Sequence, residues 1–296
     1  MDYIQVTEKP FIDYVIDESV FVYGTALKFK GSSITGLNAT VIITGGLAGP
    51  DLNEGSSIAV SNIYVDGDVT LSGGSVSLGS PDAPGKICIN GDLTLTGGNR
   101  DVYGDVYVNG DFDLSGATIH GNVYVDGDLT LEWGAPTFAD GAHIYYSGTF
   151  NHPPTMSQTV LDKCIHNTTV PELTIPDLVI PPAKPEEWYT DKQYATGGLL
   201  TSGMKIYADS YSSTSWRPSA TDVIIIARDG DITITGMGSS DVTGIFFAPE
   251  GRVTFNGGNL EGVVIARDGL FVESGGTKVT FKNISDYIPN PDDYPF

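Results

Sequence analysis

The sequence predicts an all-β chain: a single-stranded parallel β-helix (a β-solenoid) carrying a Pro-rich surface excursion. Right-handed winding is the default for parallel crossovers. Three observations predict this fold. A nine-residue frame recurs without gaps, a second Gly-rich corner follows the frame, and a Pro-rich stretch divides the recurrences into two arrays.

The frame reads apolar-x-apolar, a polar-Gly-polar corner, then apolar-x-apolar. It appears at Ile63–Leu71, Ile87–Leu95, Val106–Leu114 and Val123–Leu131, and loses its acids at Ile144–Phe150. The central glycines, 67, 91, 110, 127 and 148, step by 24, 19, 17 and 21 residues. A second array centres on Gly230, Gly251 and Gly269, with steps of 21 and 18. Strict alternation means strand. Glycine at the corner suggests a conformation that a side chain would resist. Two short strands cannot bury an apolar side alone, whereas stacked coils can. A sandwich would place hairpins between strands and would not repeat one corner motif. Further Gly-rich corners follow the second strand at Ser72-Gly73-Gly74, Thr96-Gly97-Gly98, Ser115-Gly116, Asn256-Gly257-Gly258 and Ser274-Gly275-Gly276.

These signals divide the chain. Residues 1–150 hold the opening and N-terminal coils, and 151–222 the excursion packed on the solenoid. Residues 223–284 return to coils of the same domain, and 285–296 form an extended tail. Seven of the 17 prolines fall in 151–190, which reads as extended backbone. Pro185-Glu186-Glu187-Trp188-Tyr189 predicts one short helix.

With 15 basic and 37 acidic residues, the net charge is −22. That argues against phosphate-backbone binding, which needs clustered Lys and Arg, and against anionic membranes. No apolar run approaches the roughly 18 residues of a membrane span. No secretory signal opens the chain, so an export signal or anchor is expected to lie outside this sequence.

The frame turns Tyr64, Cys88, Tyr107, Tyr124 and Tyr145 outward in one column. Such aromatics could hold a sugar, or lie covered by the excursion. Tyr64, Tyr107, Tyr124 and Tyr145, with Trp188 and Trp216 from the excursion, are the ligand-contact candidates. If the excursion crosses this face, Cys88 could meet Cys164 in a disulfide, given an oxidising compartment. Asp66, Asp68, Asp126 and Asp128 head an acidic column that calcium could relieve, but the dense calcium repeat of solenoids is absent. Turn-capping acids on a solvated face are the favoured reading, so no metal and no cofactor are expected. His152 with Cys164-x-His166 matches no zinc spacing.

The search for catalysis is negative. No Gly-x-Ser-x-Gly, His-Glu-x-x-His or phosphate-binding glycine loop occurs. The paired motifs of pectin-cleaving solenoid hydrolases are missing too: Asp-Asp occurs only at Asp292-Asp293, in the tail. The chain is therefore expected not to be an enzyme, with a carbohydrate-active β-helix enzyme as the alternative.

Phe11-Ile12-Asp13-Tyr14-Val15-Ile16, the repeat at 121–131, the Pro-rich interruption, and Gly244–Val253 followed by Gly262–Ala266 together resemble the ectodomains of PilX-type pilus-assembly proteins. The resemblance implies an exported, extracellular or cell-surface module that serves adhesion or pilus structure. Its partners would be pilus or cell-surface proteins or a surface glycan, with no nucleic acid and no membrane insertion by these residues. It carries no catalytic residues across. A weaker resemblance is to bactofilins, shorter β-helices that polymerise through bare ends. It keeps a polymer-forming structural protein as a further alternative.

Overall fold

A computed structural model describes residues 10–53, 55–175, 178–213, 217–236 and 240–296. The chain is a parallel β-solenoid of about 13 turns. A regular coil has three strands. In one, Asp105–Val108 forms the front strand, Phe112–Leu114 the side strand and Ala117–Ile119 the back strand. The next coil repeats this in register, with Val106 paired to Val123, Phe112 to Leu129 and Thr118 to Thr137. Front and back strands form one 17-stranded sheet, and the side strands two six-stranded sheets. Alternation sends Val106, Val108, Phe112, Leu114 and Ile119 into the core, each at most 2% exposed.

The two arrays are stacked in the reverse of their sequence order. The first front strand, Val20–Gly24, lies between Ser33–Ile43 of its own array and Asn259–Ala266 of the C-terminal array. On the side, Leu27–Lys30 pairs with Gly269–Val272, and on the back Lys278–Phe281 pairs with Ser33–Ile43. The chain thus enters the rod at mid-length and winds to one end at Cys164–His166. It then returns outside the rod and re-enters at the far end with Lys205–Ala208. From there it winds back until the last coil meets the first.

Coils continue to His166 and resume at Lys205, so the excursion is residues 167–204, shorter than 151–222. Cys164–His166 and Lys205–Ala208 lack the Gly-Asp corner that marks a coil in the sequence. The short helix stands at Glu186–Asp191 (α3), after a four-residue helix at Gln158–Leu161 (α2). N-terminal to the first strand, Phe11–Asp17 is a helix (α1) rather than part of an opening coil.

The run Val223-Ile224-Ile225-Ile226 is apolar on both faces because both are buried. A second hydrophobic core lies outside the front sheet, built on Ile226, Phe247, Ile265, Tyr23 and Ile42. It is covered by α1 through Val15, by α3 through Tyr189, and by the C-terminal tail through Ile284, Tyr294 and Phe296. The tail is a flank cover with its own short helix, Ile284–Tyr287 (α4), rather than an extended cap. Both rod ends are closed. Met156, Val160 and Leu161 pack on one end of the inner core, and Leu200 and Met204 on the other.

The corner glycines owe their place to stacking. Gly67, Gly91, Gly110, Gly127 and Gly148 do not adopt positive φ, contrary to the conformational expectation. A Cβ on Gly110 would stand 2.3 Å from Asp92 Oδ1 and 2.8 Å from the Gly91 carbonyl oxygen. The second corner does need glycine's backbone freedom, as at Gly73 (φ 81°) and Gly98 (φ 88°).

Candidate functional site: the front face and its corner ladder

The front strands align one outward column along the whole rod: Tyr207, Ile226, Phe247, Ile265, Tyr23, Ile42, Tyr64, Cys88, Tyr107, Tyr124, Tyr145 and Ile165. The sequence frame placed five of these correctly. Tyr107 and Tyr124 stack at 5.1 Å and 26°, Tyr124 and Tyr145 at 5.4 Å and 12°. Because strands lie about 4.8 Å apart, a ring on each coil necessarily lies against the next. The ring faces are therefore occupied by neighbours, and the column is a ladder rather than a set of open sugar platforms. These tyrosines are half-buried, and burial pushes the Tyr107 and Tyr124 hydroxyls above their ordinary pKa. Trp188 is part of the outer core, with Lys184 Nζ 4.5 Å from its ring centre and Tyr189 edge-on at 5.0 Å. Trp216 lies outside the described residues.

The excursion does run along this face. Its Leu173 carbonyl accepts from Cys88 Sγ at 3.0 Å, and its Leu178 carbonyl from the Tyr23 hydroxyl. The proposed disulfide is nevertheless not formed: both cysteines are free. Cys164 occupies the inward column with Ile144, four coils from Cys88, about 19 Å away at 4.8 Å per coil. Burial, with Asp66 nearby, pushes the Cys88 thiol up to about 11, and burial pushes Cys164 up to about 12.

The acidic column has a structural employment. Asp68 Oδ1 accepts from the Asp92 backbone N–H at 3.0 Å, Asp92 from Asp111 at 2.8 Å, Asp111 from Asp128 at 2.8 Å, and Asp128 from Thr149 at 2.6 Å. Each second Asp of the corner thus holds the next coil. The first position makes its own ladder. Asp66 accepts from Asn90 Nδ2 at 2.7 Å, Asn90 from Asn109 Nδ2 at 3.1 Å, and Asp126 from Ser147 Oγ at 3.0 Å. These bonds explain why Asp and Asn alternate freely here: both offer an acceptor. Among the described residues no group of three or more His, Cys, Asp or Glu is placed to hold a metal. His152 and His166 each lie against a backbone carbonyl, of Pro153 and Ser147.

Two features escaped the sequence. Arg100 is 2% exposed, and its Nη2 donates to the Gly73, Thr96 and Gly97 carbonyls. Its other nitrogens have no partner among the described residues, and burial lowers its pKa. The sign was an Arg at an apolar position of Arg100-x-Val102. The second feature is a cleft of about 590 Å³ where the two arrays meet, between the corner column and the excursion. It has no local signature, because its parts come from three separate stretches of chain.

Comparison of the chain with family models, curated proteins and solved structures finds no match.

Proposed function

We propose that this chain is a non-enzymatic module, a stiff rod that presents a binding surface along its front face. It would work at the cell surface in adhesion or as a pilus-associated component. The observation that carries this reading is the corner ladder. Asp68, Asp92, Asp111 and Asp128 each accept a backbone N–H of the neighbouring coil, which supports a role in rigidity over one in proton transfer. Apolar side chains also cover the inner core at both ends, Met156, Val160 and Leu161 at one and Leu200 and Met204 at the other, which weighs against polymerisation by core-to-core stacking. The half-buried hydroxyl edges of Tyr64, Tyr107, Tyr124 and Tyr145 lie on the presented face.

The test is adhesion of cells displaying the chain, compared with the Tyr107→Ala/Tyr124→Ala/Tyr145→Ala variant, after fractionation shows where the chain resides. Surface location with adhesion lost in the variant supports the proposal. A purely cytosolic chain, or glycan turnover abolished by one Asp→Asn change, overturns it.

A further inference from the structure

The cleft at the array junction is floored by one residue from each of six successive coils. Ala248 pairs with Ala266, Gly24 follows the Tyr23–Ile265 pair and lies against the Ala266 carbonyl, and Gly24, Ile43, Val65 and Ile89 pair in succession. The residues that follow them, Pro249, Arg267, Thr25, Thr44, Asp66 and Asn90, line the cleft. Backbone bonds keep these coils in step: Arg267 N–H donates to the Ala248 carbonyl at 3.1 Å, Thr25 to Arg267 at 2.9 Å, Thr44 to Gly24 at 2.9 Å, and Asn90 to Val65 at 2.9 Å. The opposite wall is the excursion, with Leu178 and Ile180 packed toward the outer core and Val179 79% exposed.

Farther along the same corner the excursion lies close against the coils, where Asn109 Nδ2 reaches the Leu173 carbonyl at 3.5 Å and Asn167 N–H the Tyr146 carbonyl at 2.9 Å. The cleft thus opens where the C-terminal array, the N-terminal array and the excursion converge. Its volume falls within the roughly 300–1,000 Å³ usual for ligand sites.

We propose that this cleft binds an extended, uncharged polysaccharide chain laid parallel to the rod axis, which adds to the front face proposed above a second contact site apart from the tyrosine ladder and rests on that reading. Periodicity is the first reason. Thr25, Thr44, Asp66 and Asn90 offer hydroxyl, carboxylate and amide groups at steps of about 4.8 Å, over three steps or about 14 Å, with Thr25 Oγ1 also donating to the Arg267 carbonyl. A linear chain of pyranose rings rises by a similar length per sugar, so successive units meet equivalent groups. An extended peptide rises about 3.3 Å per residue and drifts out of step.

Chemistry is the second reason. Thr44 Oγ1 has no partner among the described residues, and Asp66 uses only Oδ1, toward Asn90. Both can serve sugar hydroxyls, while Leu178, Val179 and Pro249 offer apolar surface to ring carbons.

Charge is the third. The one cation of the floor, Arg267, is already paired with Glu250 and Asp268, so a polyuronate would meet Asp66 and Glu250 without a free partner.

The test is isothermal titration calorimetry of the whole chain with oligosaccharides of β-1,4-linked glucose and of N-acetylglucosamine, from two to six units, and with polygalacturonate. The expected result is affinity that climbs with length to about four units, no binding of polygalacturonate, and at least tenfold weakening in Thr25→Tyr. Thr25 is exposed at its corner, so the variant fills the cleft without entering the core. Circular dichroism confirms its fold, and Asn90→Ala is the second variant, expected to weaken the longer chains most. Binding lost in Tyr124→Ala but kept in Thr25→Tyr would move the ligand to the tyrosine ladder, overturning the cleft while keeping the surface module. Absence of binding by all neutral probes, or preference for polygalacturonate, overturns this inference and leaves the adhesion test of the module to stand separately.

Discussion

Phe21 and Phe281 meet with ring centroids 5.7 Å apart at an angle of 60°, although they stand near opposite ends of the chain. Phe281 ends the last back strand of the C-terminal array, and Phe21 lies in the first front strand of the N-terminal array. The pair marks the junction at which a continuous solenoid is assembled from two discontinuous halves. Phe21 is fully buried, so Phe21→Ala should cost about 3–5 kcal/mol. Measured by urea unfolding, that loss should appear in one cooperative transition if the halves depend on each other. Two separate transitions in the wild type would show that they do not.

The junction should also make the chain permutable. Phe11 and Phe296 have ring centroids 6.4 Å apart, and Thr168 and Thr169 are exposed in the excursion. A chain running 169–296, a short Gly-Ser linker, then 10–168 should give the same circular dichroism spectrum and a similar unfolding midpoint. Loss of the strand signal would mean that the native connectivity, and not the docked edges, directs winding.

Substitution at the two corners should separate stacking from backbone conformation. Gly110→Ala puts a methyl into the Asp92 carboxylate and the Gly91 backbone, and should cost about 1–3 kcal/mol through forced separation of coils. Gly73 has φ of 81° but open space around an added Cβ, so Gly73→Ala should cost about 1–2 kcal/mol from conformation alone. Thermal melts of both variants, with Gly110→Ala the less stable, would agree with this division.

The Asp ladder predicts an asymmetry between Asn and Ala. Asp92→Asn keeps a side-chain acceptor for the Asp111 N–H and removes one of several stacked negative charges, so its melting temperature should equal or exceed that of the wild type. Asp92→Ala deletes the acceptor and should lose about 0.5–1.5 kcal/mol, because water can replace the bond at this exposed corner. A large loss in Asp92→Asn would mean that the charge itself is required, as it would be for a bound cation.

What the sequence made legible follows from what is local. The frame around Gly67, Gly91, Gly110 and Gly127 announces strands, corners and facing because each is decided within nine residues. The frame could also say that Tyr107 and Tyr124 share a column. It could not say that their faces are used up on each other, which depends on the coil spacing. Nor could it order the arrays, since nothing within Val20–Gly24 names Asn259–Ala266 as its neighbour. The cleft was hidden for the same reason: Thr44, Arg267 and Val179 come together only after winding and return of the chain. Cys88 and Cys164 failed as a pair because Cys164 belongs to a coil the proline content concealed.

Both thiols should be inert in the folded protein. Burial holds Cys88 at about 11 and Cys164 at about 12, so almost no thiolate exists at pH 8. A thiol-reactive chromophore should label neither until denaturant is added, then both. Reductant should leave the melting temperature unchanged. Rapid labelling of Cys88 in the native protein would show that the excursion detaches from the front face, since Leu173 is what Cys88 bonds.

Alkaline pH should loosen the outer core before the inner one. Tyr189 is 1% exposed, donates to the Pro295 carbonyl at 2.6 Å and accepts from the Lys184 N–H at 3.0 Å. Burial raises its pKa from 10.0 to about 12. A folded pKa above the unfolded one means that the native state holds the proton longer. The stabilisation is therefore complete below pH 10 and is lost as pH rises toward 12. Over that window the tail should become susceptible to proteolysis, because ionised Tyr189 can no longer donate to Pro295. The strand signal should persist, since the inner core contains no tyrosine at the junction. Tyr189→Phe cannot ionise, so its tail should be more accessible already at pH 8 and should respond less to further alkali. A wild-type tail that stays protected at pH 12 would show that the outer core does not rest on this hydroxyl.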